Sequence, residues 1–151
     1  MAANLTFYIT EGVLAGTANG HMIQISAVSG GGGGSKRNAP NASMNNPADQ
    51  SLKEVEGAHH VHGGPIPAGR YRVITPHRHH ILGLSARLDP YDDVQASHMY
   101  GRDAFYIHGR GPHGSDGCIV LMEHFADTMA ALTRDRGGVL YVLEAMGNAV
   151  S

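Results

Sequence analysis

Ala104-Phe105-Tyr106-Ile107-His108-Gly109-Arg110-Gly111-Pro112-His113-Gly114-Ser115-Asp116-Gly117-Cys118-Ile119-Val120-Leu121 joins two short apolar runs through a glycine-rich loop. In an extended strand successive side chains alternate faces, so Tyr106 and His108 lie opposite Phe105 and Ile107 and the histidine need not face the core. The loop leads back to Cys118, the only cysteine of the chain. A thiol with an ordinary pKa of about 8.5 is mostly protonated at neutral pH and becomes a good nucleophile when an imidazole lies within hydrogen-bond reach. Glycines at 109, 111, 114 and 117 let the chain double back and bring His108 to Cys118. The Gly117 and Cys118 amides are the expected donors to a developing oxyanion, since a residue without Cβ admits a substrate carbonyl closely. Taken alone, Cys118 reads as a small buried hydrophobe; the histidine and the glycines favour chemistry.

The rest of the chain reads as more of the same architecture. Leu5–Ile9, Gly12–Leu14 and Met22–Ile25 are short apolar runs, the last preceded by Asn19-Gly20, whose tolerance of positive φ signals a hairpin. Further strands are expected at Arg70–Ile74, Ile81–Leu84, Cys118–Leu121 and Val139–Ala145. One helix is expected over about 123–134, because Met122, Phe125, Met129 and Leu132 recur at spacings of three and four and Gly137 stops the run. Residues 29–49 hold a five-glycine run with Asn, Pro and Ser, a composition for a long loop. The expected class is mainly β, a sandwich or barrel with one α-helix, in a single domain over residues 1–151.

Composition narrows the function. With 11 Lys and Arg against 13 Asp and Glu, the net charge of -2 supplies no basic field for gripping phosphates, so nucleic acid is not an expected partner. One cysteine permits no intramolecular disulfide. Thr6, Thr10, Glu11 and Gly12 interrupt the early apolar residues and no basic stretch precedes them, so no signal peptide and no membrane span are expected. A product made in the cytoplasm would then need another export route.

The segment Ser115-Asp116-Gly117-Cys118-Ile119 after a strand histidine resembles the catalytic domain of L,D-transpeptidases, the YkuD-like fold, whose signature is a histidine, a loop and then Ser/Thr-His-Gly-Cys before an apolar residue. The likeness is closer to the compact L,D-transpeptidase effectors of type VI secretion systems. Asn45-Asn46-Pro47, the turn Gly64-Pro65-Ile66-Pro67-Ala68-Gly69-Arg70-Tyr71 and the N-terminal hairpins agree with that branch. The resemblance implies Cys118 as nucleophile and His108 as general base, supported by Ser115, Asp116 and Gly117, with Arg110, Gly109 and Arg70 binding substrate, and no cofactor or metal. Two positions depart from the general pattern: Asp116 stands for the usual histidine, and Val120 for a frequent Arg or Asn, which leaves carboxylate docking to Arg110 or Arg70. The implied substrate is the peptidoglycan tetrapeptide stem, whose terminal D-Ala is removed or exchanged through a Cys thioester. An antibacterial effector delivered to a target's periplasm is implied, together with a cognate immunity protein and a component of the secretion apparatus as partners.

The order of residues argues against papain-like enzymes, in which the cysteine comes first at a helix N-terminus and the histidine follows far downstream. Two other classes compete: a non-catalytic module of the same fold that binds peptidoglycan or a partner, and a histidine-rich metal-binding protein. The second rests on His59-His60-Val61-His62 and His77-Arg78-His79-His80, which no Cys-x-x-Cys or His-Glu-x-x-His accompanies. Arg102-Asp103 reads as a surface ion pair of little energetic weight.

Overall fold

A computed structural model describes residues 2–31, 44–52, 63–109, 115 and 117–147. Among the described residues nine strands form one sheet: β1 (Ala3–Tyr8), β2 (Val13–Ala18), β3 (His21–Ser29), β4 (Gly69–Val73), β5 (His77–His79), β6 (Gly83–Pro90), β7 (Phe105–Gly109), β8 (Ile119–Leu121) and β9 (Gly138–Leu143). Their order is β4-β9-β1-β2-β3-β8-β7-β6-β5, and an additional β4–β6 pairing closes eight of them into a barrel, leaving β5 outside on β6. The mainly β expectation therefore resolves to a barrel. Neighbours are antiparallel except β1–β9 and β7–β8.

Alternation builds the interior. Leu5, Phe7, Leu14, Ile25, Tyr71, Leu88, Ile107, Ile119, Leu140 and Val142 are buried at inward positions of successive strands, each contributing about 1.5–3 kcal/mol of hydrophobic stabilisation. The Tyr71 hydroxyl inside this core donates to the Pro67 carbonyl at 2.6 Å. Asn19 and Gly20, with φ of 51° and 74°, make the β2–β3 hairpin turn as expected.

Several boundaries differ from the sequence reading. The main helix, α2, spans Phe125–Asp135 rather than 123–134. Glu123 is drawn to β3, where its carboxylate accepts from Ser26 N at 2.9 Å, and His124 takes a left-handed φ of 53°, so helical geometry begins only at Phe125. Met122 consequently lies before the helix and is exposed, whereas Met129 and Leu132 are buried. A second helix, α1 (Asp93–Ala96), was not expected; the Asp92 carboxylate caps it by accepting from Gln95 N at 2.9 Å. Ile81, expected within a strand, is exposed ahead of β6. At the ends of the expected 29–49 loop, Ser29 closes β3 and Pro47–Asp49 forms a 3-10 turn capped by Asn46; residues 32–43 lie outside the described residues.

Candidate active site

β7 and β8 run parallel in the register Ile107 to Ile119 and His108 to Val120. Ile107 and Ile119 are both fully buried in the barrel, so the residues before and after them share the outer face. His108 and Cys118 thus lie on one face of adjacent strands, with Tyr106 carried alongside Cys118 by the same register. The cysteine is half-buried, its sulfur 4.0 Å from the Ala104 carbonyl.

The His108 ring is oriented from its own strand. Nδ1 lies 2.8 Å from the Gly109 carbonyl, an acceptor only, so the neutral ring carries its proton on Nδ1 and leaves the Nε2 lone pair for a base. Burial pulls the His108 pKa below its ordinary value, the Gly109 carbonyl partly opposes this, and His79 reinforces it. Such an imidazole is neutral at pH 7 and able to accept a thiol proton.

The loop that presents Cys118 is held by two buried serines. Ser115 Oγ donates to the Cys118 carbonyl at 2.6 Å and accepts from Gly30 N at 3.2 Å and Gly117 N at 3.3 Å, which uses the full capacity of a hydroxyl. Ser29 Oγ donates to the Gly117 carbonyl at 2.8 Å and accepts from Ile66 N at 2.9 Å. Asn45 in turn pins Ser29, its Oδ1 accepting from Ser29 N and its own N–H donating to the Ser29 carbonyl. The Gly117 amide, expected as an oxyanion donor, lies 3.3 Å from the Ser115 hydroxyl. Gly117 also has a φ of 123° and no room for a Cβ, which would stand 2.2 Å from the Phe105 ring.

Arg102 also departs from its sequence reading. It is buried rather than part of a surface pair, and its guanidinium donates to the carbonyls of Gln50, Pro65 and Gly64, while facing the Phe105 ring at 5.1 Å. It thereby ties two loop segments beneath Gly117. No local pattern marks Arg102 for this role; the quoted Asn45-Asn46-Pro47 and Gly64-Pro65-Ile66 segments were the available signal, and both end at this scaffold.

The remaining expected residues scatter. Gly109 ends β7 under the Phe125 ring, where an added Cβ would lie 3.1 Å from that ring. Arg70 stacks on Tyr91 at 3.4 Å, on a strand separated from β8 by β6 and β7; the structure does not bring it to Cys118. Val120 is buried and offers a substrate no polar group. Arg110, Asp116, His113 and His59–His62 lie outside the described residues.

His79 stacks on His80 at 4.6 Å and meets the edge of Tyr106 at 5.1 Å. Its Nδ1 accepts from Ile81 N and Leu82 N, so the ring proton sits on Nε2 and neither nitrogen offers a lone pair to a metal. Among the described residues no three His, Cys, Asp or Glu side chains converge as a metal site. Tyr106 and Arg87 line both of two surface grooves of about 280 and 320 Å³, which neither His108 nor Cys118 lines.

The Tlde1 domain matches residues 42–140, well over half of the chain. A search of curated proteins finds no match. Among solved structures, the helical cell shape determining protein Pgp2 of Campylobacter jejuni superposes with a TM-score of 0.61 at 13% identity, covering 99% of this chain and 50% of that one. An L,D-transpeptidase of Xylanimonas cellulosilytica gives 0.50 at 14% identity, covering 94% and 60%. One from Mycobacterium tuberculosis gives 0.50 at 15% identity, covering 94% and 57%. The chain thus spans 50–60% of the length of these structures. On this match and this barrel, the chain belongs to the Tlde1 domain family and has the L,D-transpeptidase fold.

Proposed function

We propose that this chain is a cysteine acyl transferase of peptidoglycan stem peptides, an L,D-transpeptidase or L,D-carboxypeptidase acting as an antibacterial type VI secretion effector. The observation that supports the reading is a half-buried, Nδ1-protonated His108 on β7 beside the parallel strand β8, which Cys118 immediately precedes. His108 Nε2 takes the thiol proton as sulfur attacks the carbonyl of the third stem residue. The bond to the terminal D-Ala breaks, the histidine returns the proton to the leaving amine, and the stem remains as a thioester. Water then releases a tripeptide stem, whereas the amine of a free D-amino acid or of another stem takes the acyl group instead, in each case regenerating the thiol. Arg110, two residues after His108 in sequence, is the proposed partner of the stem carboxylate, since Arg70 is engaged on Tyr91. Loss of D-Ala in a target's periplasm would remove the donors of wall synthesis, and a producing cell would need an immunity protein as well as a secretion partner.

Mass spectrometry of disaccharide-tetrapeptide muropeptides incubated with the protein, with and without a free D-amino acid, tests this directly. Loss or exchange of the terminal D-Ala is expected from the intact chain and not from Cys118→Ala. Processing by folded Cys118→Ala would remove the nucleophile assignment, and no processing by the folded intact chain would favour a binding module of the same fold.

A further inference from the structure

A groove of about 520 Å³ lies away from Cys118, between β3 and α2. Its origin is a strand that ends early. β8 pairs with β3 only over Ala27–Ser29; after Leu121 the chain leaves the sheet and leads into α2, which lines the groove opposite β3. Two tethers hold the helix there. At one end Glu123 accepts from Ser26 N, and at the other Asp135 accepts from Asn19 N at 2.7 Å.

Between the tethers β3 has an open edge. Ala27 N donates to Gly12 O across the β2–β3 ladder, so by alternation the N–H and C=O groups of Ser26, Gln24 and Met22 point away from β2. Those of Ser26 are satisfied by Glu123 and by Met122 N. Those of Gln24 and Met22 have no hydrogen-bond partner among the described residues, and Met22 is 89% exposed. Glu123 therefore marks the point where pairing stops, supplying the acceptor that a neighbouring strand would otherwise provide.

Across the groove α2 presents Asp127 and Arg134, with the small Thr128 and Ala131 between them. Neither charge has an ion-pair partner among the described residues. Seven helical residues place them about 10 Å apart, a distance an extended chain covers in about three residues. We propose that this groove binds an extended peptide segment of a partner protein, which adds as a strand to the Met22–Gln24 edge and carries a basic residue toward Asp127 and an acidic one toward Arg134. A strand of a second copy is the poorer fit, because the groove is walled by α2.

Selection of a displayed random octapeptide library on the immobilised full chain tests the proposal, with enriched peptides titrated while amide hydrogen exchange is followed. Enriched peptides should carry a basic and an acidic residue about three positions apart, slow exchange at Met22 and Gln24, and bind Gln24→Pro at least tenfold more weakly. Proline there removes only an outward donor. If Gln24→Pro does not fold, the surface exchange Asp127→Lys with Arg134→Glu decides, and it should select peptides of reversed charge order. No enrichment, protection of other amides, unchanged selection by the charge-exchanged variant, or a peptide-free dimer that protects Met22 and Gln24 would each overturn the proposal.

Discussion

Replacing Ser29 by Ala removes one oxygen that touches neither Cys118 nor His108, yet it should impair both stability and turnover. Ser29 is fully buried, and its hydroxyl satisfies the Gly117 carbonyl at 2.8 Å and Ile66 N at 2.9 Å. Each buried group left without a partner costs about 1–3 kcal/mol, and with local relaxation the two together should cost about 2–4 kcal/mol. For a chain of this size, 1 kcal/mol moves Tm by about 2–4 °C, so a fall of about 5–15 °C is expected. Because Gly117 precedes Cys118, the proposed nucleophile, freeing its carbonyl also loosens the position of that residue, and a misplacement of about 1 Å in such a site lowers turnover by about 100-fold. Thermal unfolding followed by circular dichroism, together with muropeptide turnover well below the lowered Tm, measures both effects. A Tm within about 2 °C of the parent with unchanged turnover would refute the claim that Ser29 holds the loop before Cys118.

Other consequences follow from the same geometry. His108→Ala should slow iodoacetamide alkylation of Cys118 at pH 7 by about tenfold or more, since the thiolate fraction then falls toward that of a free thiol; an unchanged rate would show that His108 does not activate the sulfur. Burial lowers the His108 pKa, so the imidazole stays neutral down through its ordinary value of 6.5 and kcat/KM should fall only on acidification below that point. By the same sign, the stability tied to neutral His108 is complete above pH 6.5 and is lost as pH drops through the lowered value; an acid limb above 6.5 would contradict this. In His79→Asn, where the amide oxygen can still accept from Ile81 N and Leu82 N, loss of the electrostatic influence by which His79 lowers the His108 pKa should move that acid limb upward, and a downward movement would refute the coupling. Arg102→Met should cost about 3–5 kcal/mol in urea unfolding, because three loop carbonyls lose a buried charged donor; a loss under about 1 kcal/mol would show that the loops hold without it.

What could be read along the chain was local. Alternation in Phe105–His108 assigned the histidine to the outer face, Asn19-Gly20 announced its hairpin, and the single cysteine beyond a glycine-rich loop singled out the nucleophile candidate, because strand period, turn conformation and thiol chemistry each depend on a few adjacent residues. The closure of β4 on β6, the hold of Ser29 on the Gly117 carbonyl and the delayed start of α2 depend on partners that sequence order does not bring near. Ser29 and Gly117 are 88 positions apart, and Arg102 reaches back 52 positions to Gln50. A buried hydroxyl or guanidinium is assigned its role by whichever unsatisfied carbonyls the folded barrel leaves within reach, and that inventory exists only once the interior has been assembled.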